Sequence, residues 1–351
     1  MSSVASQRLN MLRTSPEGMN VRVVSSFDEP SVSPEIWSRL LARGPTDSVN
    51  LTWEWQRNWW SSFGRGRLLL LLVERDSEPI CIAPLFVDED MVFNICPEDQ
   101  LDFVGDTGPD VMDVLVQTLR QLVPELLGIT LYFFHDASTT AFELERAAAR
   151  AGMICYRETC LAAPRLEIVK HPELAARYAR KKSLIRHENF FRRNGHLTVN
   201  HTSNPEEIIP QLNEFFNQHI ARRNITSHPS IFKKSVQRDY YSKLVTSIGS
   251  KGWLRFTRLD WNGRAIAFHF GFSYQKRFLY GIPSFDIELR QHSPGEVLLR
   301  HLLLHAIDDG AEVFDFGPGD ERYKYRFATS EVQLVTLGVY PKSSSLPRTT
   351  R

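Results

Sequence analysis

The sequence predicts an α/β (α+β) protein of two domains, and three observations lead to this. The chain has 351 residues, about twice the usual length of one domain. Short strand-like apolar segments alternate with helical patterns along the chain. Seven Trp and 22 Phe within a 42% hydrophobic composition supply enough apolar surface for two cores. We expect an N-terminal domain over residues 21–165, a C-terminal domain over 166–341, and disordered tails at 1–20 and 342–351.

The first domain mixes helices with strands. In the segment 52–64, Trp55, Trp59 and Phe63 recur every four residues, which places them on one helical face between the predicted cap Thr52 and the terminator Gly64. The predicted order is strand 21–24, helix 34–42, helix 52–64, strands 67–75 and 79–87, helix 113–127, strand 129–134 and helix 140–151.

The second domain carries the clearest turn and cap signals. Asn262-Gly263 is a strong hairpin signal, and Asn204-Pro205 is a strong helix start. Ser293 and Glu296 have capping-box spacing around Pro294. The predicted order is helix 173–193, strand 196–201, helices from 204 and over 230–248, strands 253–261, 265–274 and 278–282, a helix from 293 to 310, and strands 311–316 and 333–340.

Charge and cysteine content exclude several classes of protein. The formal net charge is +1, without the basic excess of a dedicated DNA-binding protein. The four cysteines form no CxxC pair and no zinc pattern, so we expect reduced thiols and no metal. Residues 1–20 lack an apolar signal core, and the apolar run 68–73 is too short to span a bilayer. We therefore expect a cytoplasmic protein.

Several blocks of residues resemble the GNAT acyltransferase superfamily, and within it the CelD/BcsL-type branch related to the Fem peptidyltransferases. The first block is the segment from Trp55 to Phe63 followed by Cys81-Ile82-Ala83-Pro84-Leu85, and the second is Asn262–Ala267. The sharpest is Ser293-Pro294-Gly295, followed by Asp315-Phe316-Gly317-Pro318-Gly319-Asp320-Glu321, Tyr323-Lys324 and Phe327. The resemblance covers about residues 21–340. It implies two tandem GNAT-like domains, each a mixed, mostly antiparallel sheet flanked by helices.

The resemblance also implies direct acyl transfer. Acyl-CoA, with acetyl-CoA first, is the expected co-substrate, and the acceptor is an amine or hydroxyl of a sugar or of a cell-envelope or exopolysaccharide precursor. Two alternatives stay open: a Fem-like transferase that uses aminoacyl-tRNA, and a non-catalytic module that binds such precursors. The motifs favour the C-terminal domain as the site of the chemistry.

Residues near the predicted helix at Ser293 are the expected donor-binding groups. A helix start presents free N–H groups and a positive dipole end to a phosphate. Arg290, Ser293, Pro294 and Gly295 stand where GNAT proteins have an Arg/Gln-x-x-Gly-x-Gly/Ala loop, which this chain lacks in standard form. Gly317 and Gly319 allow the backbone to approach a ligand closely.

Acidic and basic residues after the predicted strand 311–316 are the expected catalytic and acceptor-binding groups. Asp315 either faces a ligand crevice or caps the glycine loop that follows it. Asp320 and Glu321 either orient the acceptor or are a solvated pair. Lys324, in the position of a Fem-type lysine, is expected to stabilise an oxyanion or to bind donor phosphate, unless it is an ordinary exposed lysine. We also assign Tyr323 to catalysis and Arg326 to substrate binding.

Two further residues are candidate general bases. His269 lies in a strand between Ala267 and Gly271, whose small side chains leave room for a ligand on that face. A satisfied core or surface histidine is at least as strong an alternative. Asp286, in the loop before the helix at Ser293, is the second candidate.

The predicted helix 173–193 is strongly basic. It could bind nucleic acid, the head groups of anionic lipids or a nucleotide-sugar pyrophosphate, or it could be a solvated face. The near-zero net charge argues against a general DNA-binding protein, so we favour a solvated face or a phosphate contact with the acceptor, such as a lipid-linked precursor or a membrane surface. The basic residues are Arg177, Arg180, Lys181, Lys182, Arg186, Arg192 and Arg193.

Overall fold

The computed structural model describes residues 11–13 and 18–342. Contacts group these residues into two compact units, one formed by residues up to Leu161 together with those from Gln333 onward, and the other by Ala162–Val332. Across the part of the chain that is described, no helix combines the length and apolar character that a membrane crossing requires.

The predicted N-terminal tail contains ordered pairing. Strand β1 (Met11–Arg13) pairs with β2 (Met19–Val24), and Met19 and Asn20 pair with Arg75 and Glu74 of the next strand. The prediction of a disordered tail is therefore wrong for 11–13 and 19–20, because these residues pair with neighbouring strands near the edge of the sheet. Residues 1–10, 14–17 and 343–351 of the two predicted tails lie outside the described residues.

The first unit is a mainly antiparallel sheet with helices packed against it. Its helices are α1 (Pro34–Leu41), α2 (Trp53–Phe63), α3 (Pro109–Leu122) and α4 (Thr139–Arg150). Besides β1 and β2, its strands are β3 (Arg67–Arg75), β4 (Glu78–Asp88), β5 (Met91–Asn94), β6 (Val104–Gly105) and β7 (Gly128–His135). Strands β8 (Met153–Glu167) and β14 (Ser330–Pro341) have residues in both units.

The second unit repeats this layout. Its helices are α5 (Pro172–Ala179), α6 (Lys182–Arg193), α7 (Pro205–Ile208), α8 (Leu212–Arg223), α9 (Ser235–Gly249), α10 (Pro294–Asp308) and α11 (Arg322–Tyr325). Its strands are β9 (Leu197–Thr202), β10 (Leu254–Trp261), β11 (Arg264–Tyr274), β12 (Arg277–Phe285) and β13 (Val313–Asp315). The predicted helix 173–193 is two helices, because the chain leaves the helical conformation at Arg180 and Lys181.

Strand order is the same in both units. The first unit runs β2-β3-β4-β5-β7-β14 and the second runs β9-β10-β11-β12-β13-β8. In each, four antiparallel strands are followed by one parallel partner, β7 on β5 or β13 on β12, reached through a crossover helix, α3 or α10. An antiparallel strand then follows the parallel one. The predicted class of mixed, mostly antiparallel sheets flanked by helices is confirmed.

The sheet of the second unit is packed on both faces. On one face, α10 presents Leu298, Leu302 and Leu303 to a core that includes Phe278 and Phe314. On the other face lies an aromatic cluster in which ring centroids are 4.5–6.2 Å apart, a spacing typical of buried aromatic pairs. Its members are Phe215, Phe216, Phe232, Tyr241, Phe256, Phe268 and Phe270. Side chains thus cover this sheet on both faces.

Candidate functional site

The parallel strands β12 and β13 separate at a defined point. They are paired from Arg277/Val313 to Leu279/Asp315, and the pairing ends there. Beyond it, β12 remains paired with β11, whereas Phe316 and Gly319 donate their N–H groups to Pro164 and Ala162 of β8. The result is an opening between the strands, which we call the strand split. Ligands bind preferentially where parallel strands diverge at their carboxyl ends.

A bulge in β11 and β12 shapes one wall of the strand split. The β11/β12 register shifts between Phe270 and Phe272, next to Gly271 and Gly281. A Cβ on Gly281 would lie 2.6 Å from the carbonyl oxygen of Phe270, so the close approach of the two backbones requires glycine. Gly281 is exposed, and Ile282 is half-buried. The edge of β12 is thus accessible along this wall.

Asp315 closes the base of the strand split. Its side chain is fully buried, Arg165 Nε donates to its Oδ2 at 2.9 Å, and Arg277 lies 3.7 Å from the same oxygen. Its Oδ1 accepts the N–H of Gly317 at 2.9 Å. The capping alternative for Asp315 is thus present in the structure, and its charge is neutralised by arginines.

Lys324 holds the glycine loop in place. The side chain is 4% exposed, and its ammonium contacts the carbonyl oxygens of Gly317 (3.2 Å) and Pro318 (2.9 Å) and the carboxylate of Glu321 (2.8 Å). An ammonium has three donors, and these contacts engage all three. Lys324 is therefore placed to set the shape of residues 317–321.

Tyr323 and Tyr280 meet beside the strand split. Their hydroxyls share a hydrogen bond. Burial, followed by the charge of Glu321, raises the pKa of Tyr323 to about 12, and burial raises the pKa of Tyr280 well above its usual value. Both phenols are protonated at neutral pH and can donate hydrogen bonds or a proton.

The acidic pair and Arg326 line the outer rim. Asp320 is exposed. Burial raises the pKa of the Glu321 carboxyl, but the hydrogen bond and charge of Lys324 outweigh it, so the net pKa is lowered. Arg326 is exposed and donates to Glu296 at 3.0 Å. Glu321 is therefore an anion at neutral pH, and Arg326 is tied to the first turn of α10.

The start of α10 differs from the predicted capping box. Ser293 adopts a left-handed conformation (φ 58°) and its side chain makes no cap hydrogen bond, while the N–H of Glu296 donates to the Ser293 carbonyl at 3.0 Å. The capping-box prediction is wrong, because this backbone turns Ser293 away and Glu296 pairs with Arg326 instead. Pro294 has no N–H, and a Cβ on Gly295 would lie 3.0 Å from the Phe285 ring. Arg290 is exposed nearby.

His269 and Asp286 are held by different contacts. His269 is fully buried and stacks on Tyr280 with centroids 5.3 Å apart, and its ring fills the space above Gly271. Among the described residues, neither ring nitrogen has a well-formed hydrogen bond, although the Arg255 main chain is close enough to favour protonation slightly. Burial lowers its pKa to about 3. Asp286 Oδ1 caps the 3₁₀ turn Ile287–His292, and its other oxygen pairs with Arg264.

The basic helices are partly committed to internal contacts. Glu188 of α6 accepts from Arg192 at 2.7 Å and from Arg300 of α10 at 2.6 Å. The ammonium of Lys181 donates to the Arg326 carbonyl and lies 4.3 Å from the centre of the Phe327 ring. The remaining exposed cations are Arg177, Arg180, Lys182, Arg186 and Arg193. The described residues contain no cluster of His, Cys, Asp or Glu arranged to hold a metal ion.

Sequence reasoning missed Arg222 and Tyr280. Arg222 lies in the last turn of α8, donates to the Pro283 carbonyl at 2.5 Å, and has its guanidinium 4.6 Å from the centre of the Phe285 ring. A basic residue at a helix end is common, because it is favoured by the helix dipole. The sequence therefore carried no distinctive signal for Arg222.

Comparison with known proteins identifies the fold. Residues 179–325 match the family model described as acetyltransferase (GNAT) domain. No curated protein matches the chain in sequence. Among solved structures, FemX superposes with a TM-score of 0.59 at 10% identity, covering 87% of this chain and 95% of its own.

Two further structures have the same fold. L-PGS from Bacillus licheniformis matches with a TM-score of 0.53 at 13% identity, over 90% of this chain and 93% of its own. A tandem GNAT protein from the clavulanic acid biosynthesis pathway matches with a TM-score of 0.50 at 13% identity, over 91% and 98%. At these identities the likeness concerns the fold alone. The chain therefore has a GNAT-like fold, and residues 179–325 within it match the GNAT acetyltransferase domain family.

Proposed function

We propose that the protein is an acyltransferase that moves an acyl group from acyl-CoA to an amine or hydroxyl of a sugar or cell-envelope precursor. The observation that carries this proposal is the strand split, with the Tyr280–Tyr323 pair beside it. An extended thioester arm fits alongside the accessible edge of β12, where main-chain groups of Gly281 and Ile282 can align it. The match of residues 179–325 to the GNAT family supports the same assignment.

The proposed reaction is a direct transfer. The acceptor nitrogen or oxygen attacks the thioester carbonyl, the new C–N or C–O bond forms, and the C–S bond breaks. The acceptor releases one proton to water, the leaving thiolate takes the proton of the Tyr323 hydroxyl, and the Tyr323 phenolate then regains a proton from water. That hydroxyl is protonated at neutral pH, and with Tyr280 as donor in their shared hydrogen bond, the Tyr323 proton is available for transfer.

The other predicted residues take supporting roles in this proposal. Asp315 and Lys324 position the loop 317–321 rather than reacting themselves. Gly317 and Gly319 let that loop turn (φ 69° and 130°). Asp320 and Glu321 contact the acceptor in this proposal. The side chain of Arg290 and the N–H group of Gly295 contact the donor phosphates. His269 and Asp286 are assigned no proton transfer, because the first lies under Tyr280 and the second is held by Arg264.

The resemblance to the GNAT superfamily also supports a proposed family branch, active-site domain and cellular location. The proposed place of the chain is the CelD/BcsL-type branch, with the active site in the C-terminal domain and the protein in the cytoplasm, where the donor is made. The exposed cations of α5 and α6 are proposed to approach a lipid-linked precursor.

Calorimetric titration of acetyl-CoA and octanoyl-CoA into the full-length protein tests this proposal. We expect saturable binding of at least one thioester, and release of free thiol when a mixture of amino sugars is added. Tyr323→Phe removes one hydroxyl and is expected to lower turnover about 100-fold with unchanged donor binding. The matched control Tyr325→Phe alters an exposed tyrosine and should leave turnover unchanged. Absence of thioester binding would contradict the proposal and favour a Fem-like transfer from aminoacyl-tRNA.

A further inference from the structure

A group of polar side chains from three separate elements converges beside the strand split. Arg222 comes from α8, Tyr280 and the Pro283 carbonyl come from β12, and Glu321 and Tyr323 come from the segment after β13. The charge of Arg222 acts on Tyr280 and Tyr323, and Glu321 acts on Arg222 in return. These elements lie within one compact unit.

Arg222 is held by two contacts, neither of which is with a carboxylate. One guanidinium nitrogen donates to the Pro283 carbonyl at 2.5 Å, and the group lies over the Phe285 ring with 4.6 Å between guanidinium carbon and ring centre. Within the described residues no carboxylate lies at ion-pair distance from it. The contrast is with Arg165, Arg300 and Arg326, each of which contacts a carboxylate at 2.6–3.0 Å.

The surroundings of Arg222 restrict what it can do. Burial lowers its pKa, which is the effect of removing water from a guanidinium. Arg223 stands next to it in the same turn and adds positive charge. A planar guanidinium fixed by one carbonyl and one ring retains donors in a fork that matches two oxygens of a carboxylate or phosphate.

We infer that Arg222 binds an anionic group of the acceptor, a carboxylate or a phosphate, and orients the acceptor nucleophile toward the strand split. Glu321, an anion at neutral pH, can attract an acceptor ammonium. The acceptor would then be a molecule that carries both a nucleophilic amine or hydroxyl and an anion. This inference rests on the proposed function and narrows its substrate class.

Anion binding is tested first without any acyl donor. Acetate and inorganic phosphate are titrated separately into full-length protein, with binding followed by thermal unfolding and by calorimetry. We expect one of the two anions to bind, and Arg222→Gln to weaken it by about tenfold or more, the usual loss for a charge-assisted hydrogen bond. Arg222→Lys keeps the charge but not the fork, and should give an intermediate loss. The control Arg39→Gln changes an exposed arginine in the last turn of α1, which has no part in the proposed site, and should have no effect.

Acceptor preference is tested next through thiol release from acetyl-CoA. Glycine is compared with glycinamide, and phosphoethanolamine with ethanolamine, so that each pair differs by one anionic group. A preference of about tenfold for one anionic member, lost in Arg222→Gln, supports the inference and tells carboxylate from phosphate. If donor binding is normal but Arg222→Gln leaves the acceptor preference unchanged, the inference is wrong. The proposed function still stands in that case.

Failure of the proposed function gives a different pattern. If no thioester binds, the anion titration still reports on Arg222, because it needs no donor. The inference is wrong if neither acetate nor phosphate binds. It is also wrong if the anion that binds does so equally well to the wild-type protein and to Arg222→Gln. Should Arg222→Gln fail to fold, Arg222→Lys carries the same comparison, since it keeps the positive charge and removes only the planar fork.

Discussion

Arg165 Nε lies 2.9 Å from Asp315 Oδ2, directly across the β8/β13 ladder, where these two residues are register partners. The pair sits at the last paired residue of β13, beneath the point where β12 and β13 part. Asp315 also holds the Gly317 N–H and faces Arg277. The base of the strand split is thus fixed by a buried carboxylate with cationic partners on both neighbouring strands.

The first prediction concerns this carboxylate. Asp315→Asn keeps the shape of the side chain but leaves Arg165 and Arg277 without their shared anion. We expect a loss of about 3 kcal/mol in the free energy of unfolding, measured by urea denaturation. Asp320→Asn is the matched control, because Asp320 is exposed and should change stability by less than about 0.5 kcal/mol. Equal effects of the two substitutions would contradict the structural role given to Asp315.

The second prediction concerns the loop that Lys324 organises. Lys324→Met removes the donors that hold the Gly317 and Pro318 carbonyls, so we expect the amides of Gly317 and of residues 319–321 to lose protection in hydrogen exchange. We also expect a loss of about 2 kcal/mol in the free energy of unfolding. Glu321→Gln leaves both carbonyl contacts in place and should have a smaller effect on exchange. Lys182→Met, at an exposed position of α6, is the control. Unchanged exchange in Lys324→Met would refute this role.

Local signals gave the most reliable part of the sequence analysis. The Asn262-Gly263 turn was predicted from two residues, and the structure has it with φ of 52° and 79° between β10 and β11. A two-residue hairpin needs these angles, and this residue pair tolerates them, so no distant contact decides the outcome. The helix after Pro294 was also found correctly, although its cap was not.

Features that depend on distant contacts could not be predicted in the same way. The sequence does not predict strand β8, because its middle, around Tyr156–Cys160, is largely exposed and has no alternating apolar pattern. The burial of Lys324 depends on a loop that returns over it, and the position of Arg222 depends on Pro283, 61 residues later. Such arrangements are set by tertiary packing, which no local pattern encodes.

The third prediction concerns stability at acidic pH. Burial lowers the pKa of His269 to about 3, whereas an unfolded histidine has a pKa near 6.5, so the unfolded state binds more protons between these values. The contribution of His269 is therefore fully present above about pH 6.5 and is lost as pH falls toward 3. The pKa of His201 is likewise lowered to about 4 and that of His219 to about 3, mainly by burial, and they act in the same direction.

His269→Met isolates one of these histidines. Between pH 7 and pH 5, we expect the wild-type protein to lose about 2 kcal/mol more of its free energy of unfolding than the variant does. Urea denaturation at the two pH values measures this difference, which cancels any effect of the substitution on packing that does not depend on pH. Identical losses in both proteins would mean that His269 titrates normally in the folded state.

The last prediction concerns the contact between His269 and Gly271. A Cβ on Gly271 would lie 2.2 Å from the His269 ring and 2.5 Å from the Leu279 carbonyl oxygen, so Gly271→Ala should cost more than about 2 kcal/mol. Adding His269→Ala removes the ring but not the carbonyl. The loss in free energy of unfolding of the double variant should therefore be smaller than the sum of the two single losses. It should still be larger than the loss caused by His269→Ala alone, because the clash with the carbonyl remains. Gly281→Ala is the matched control, because its Cβ would meet the Phe270 carbonyl at 2.6 Å and no histidine. The destabilisation by Gly281→Ala should simply add to that by His269→Ala. If the interaction energy with His269→Ala were equal for the two glycine substitutions, the ring would not fill the space above Gly271.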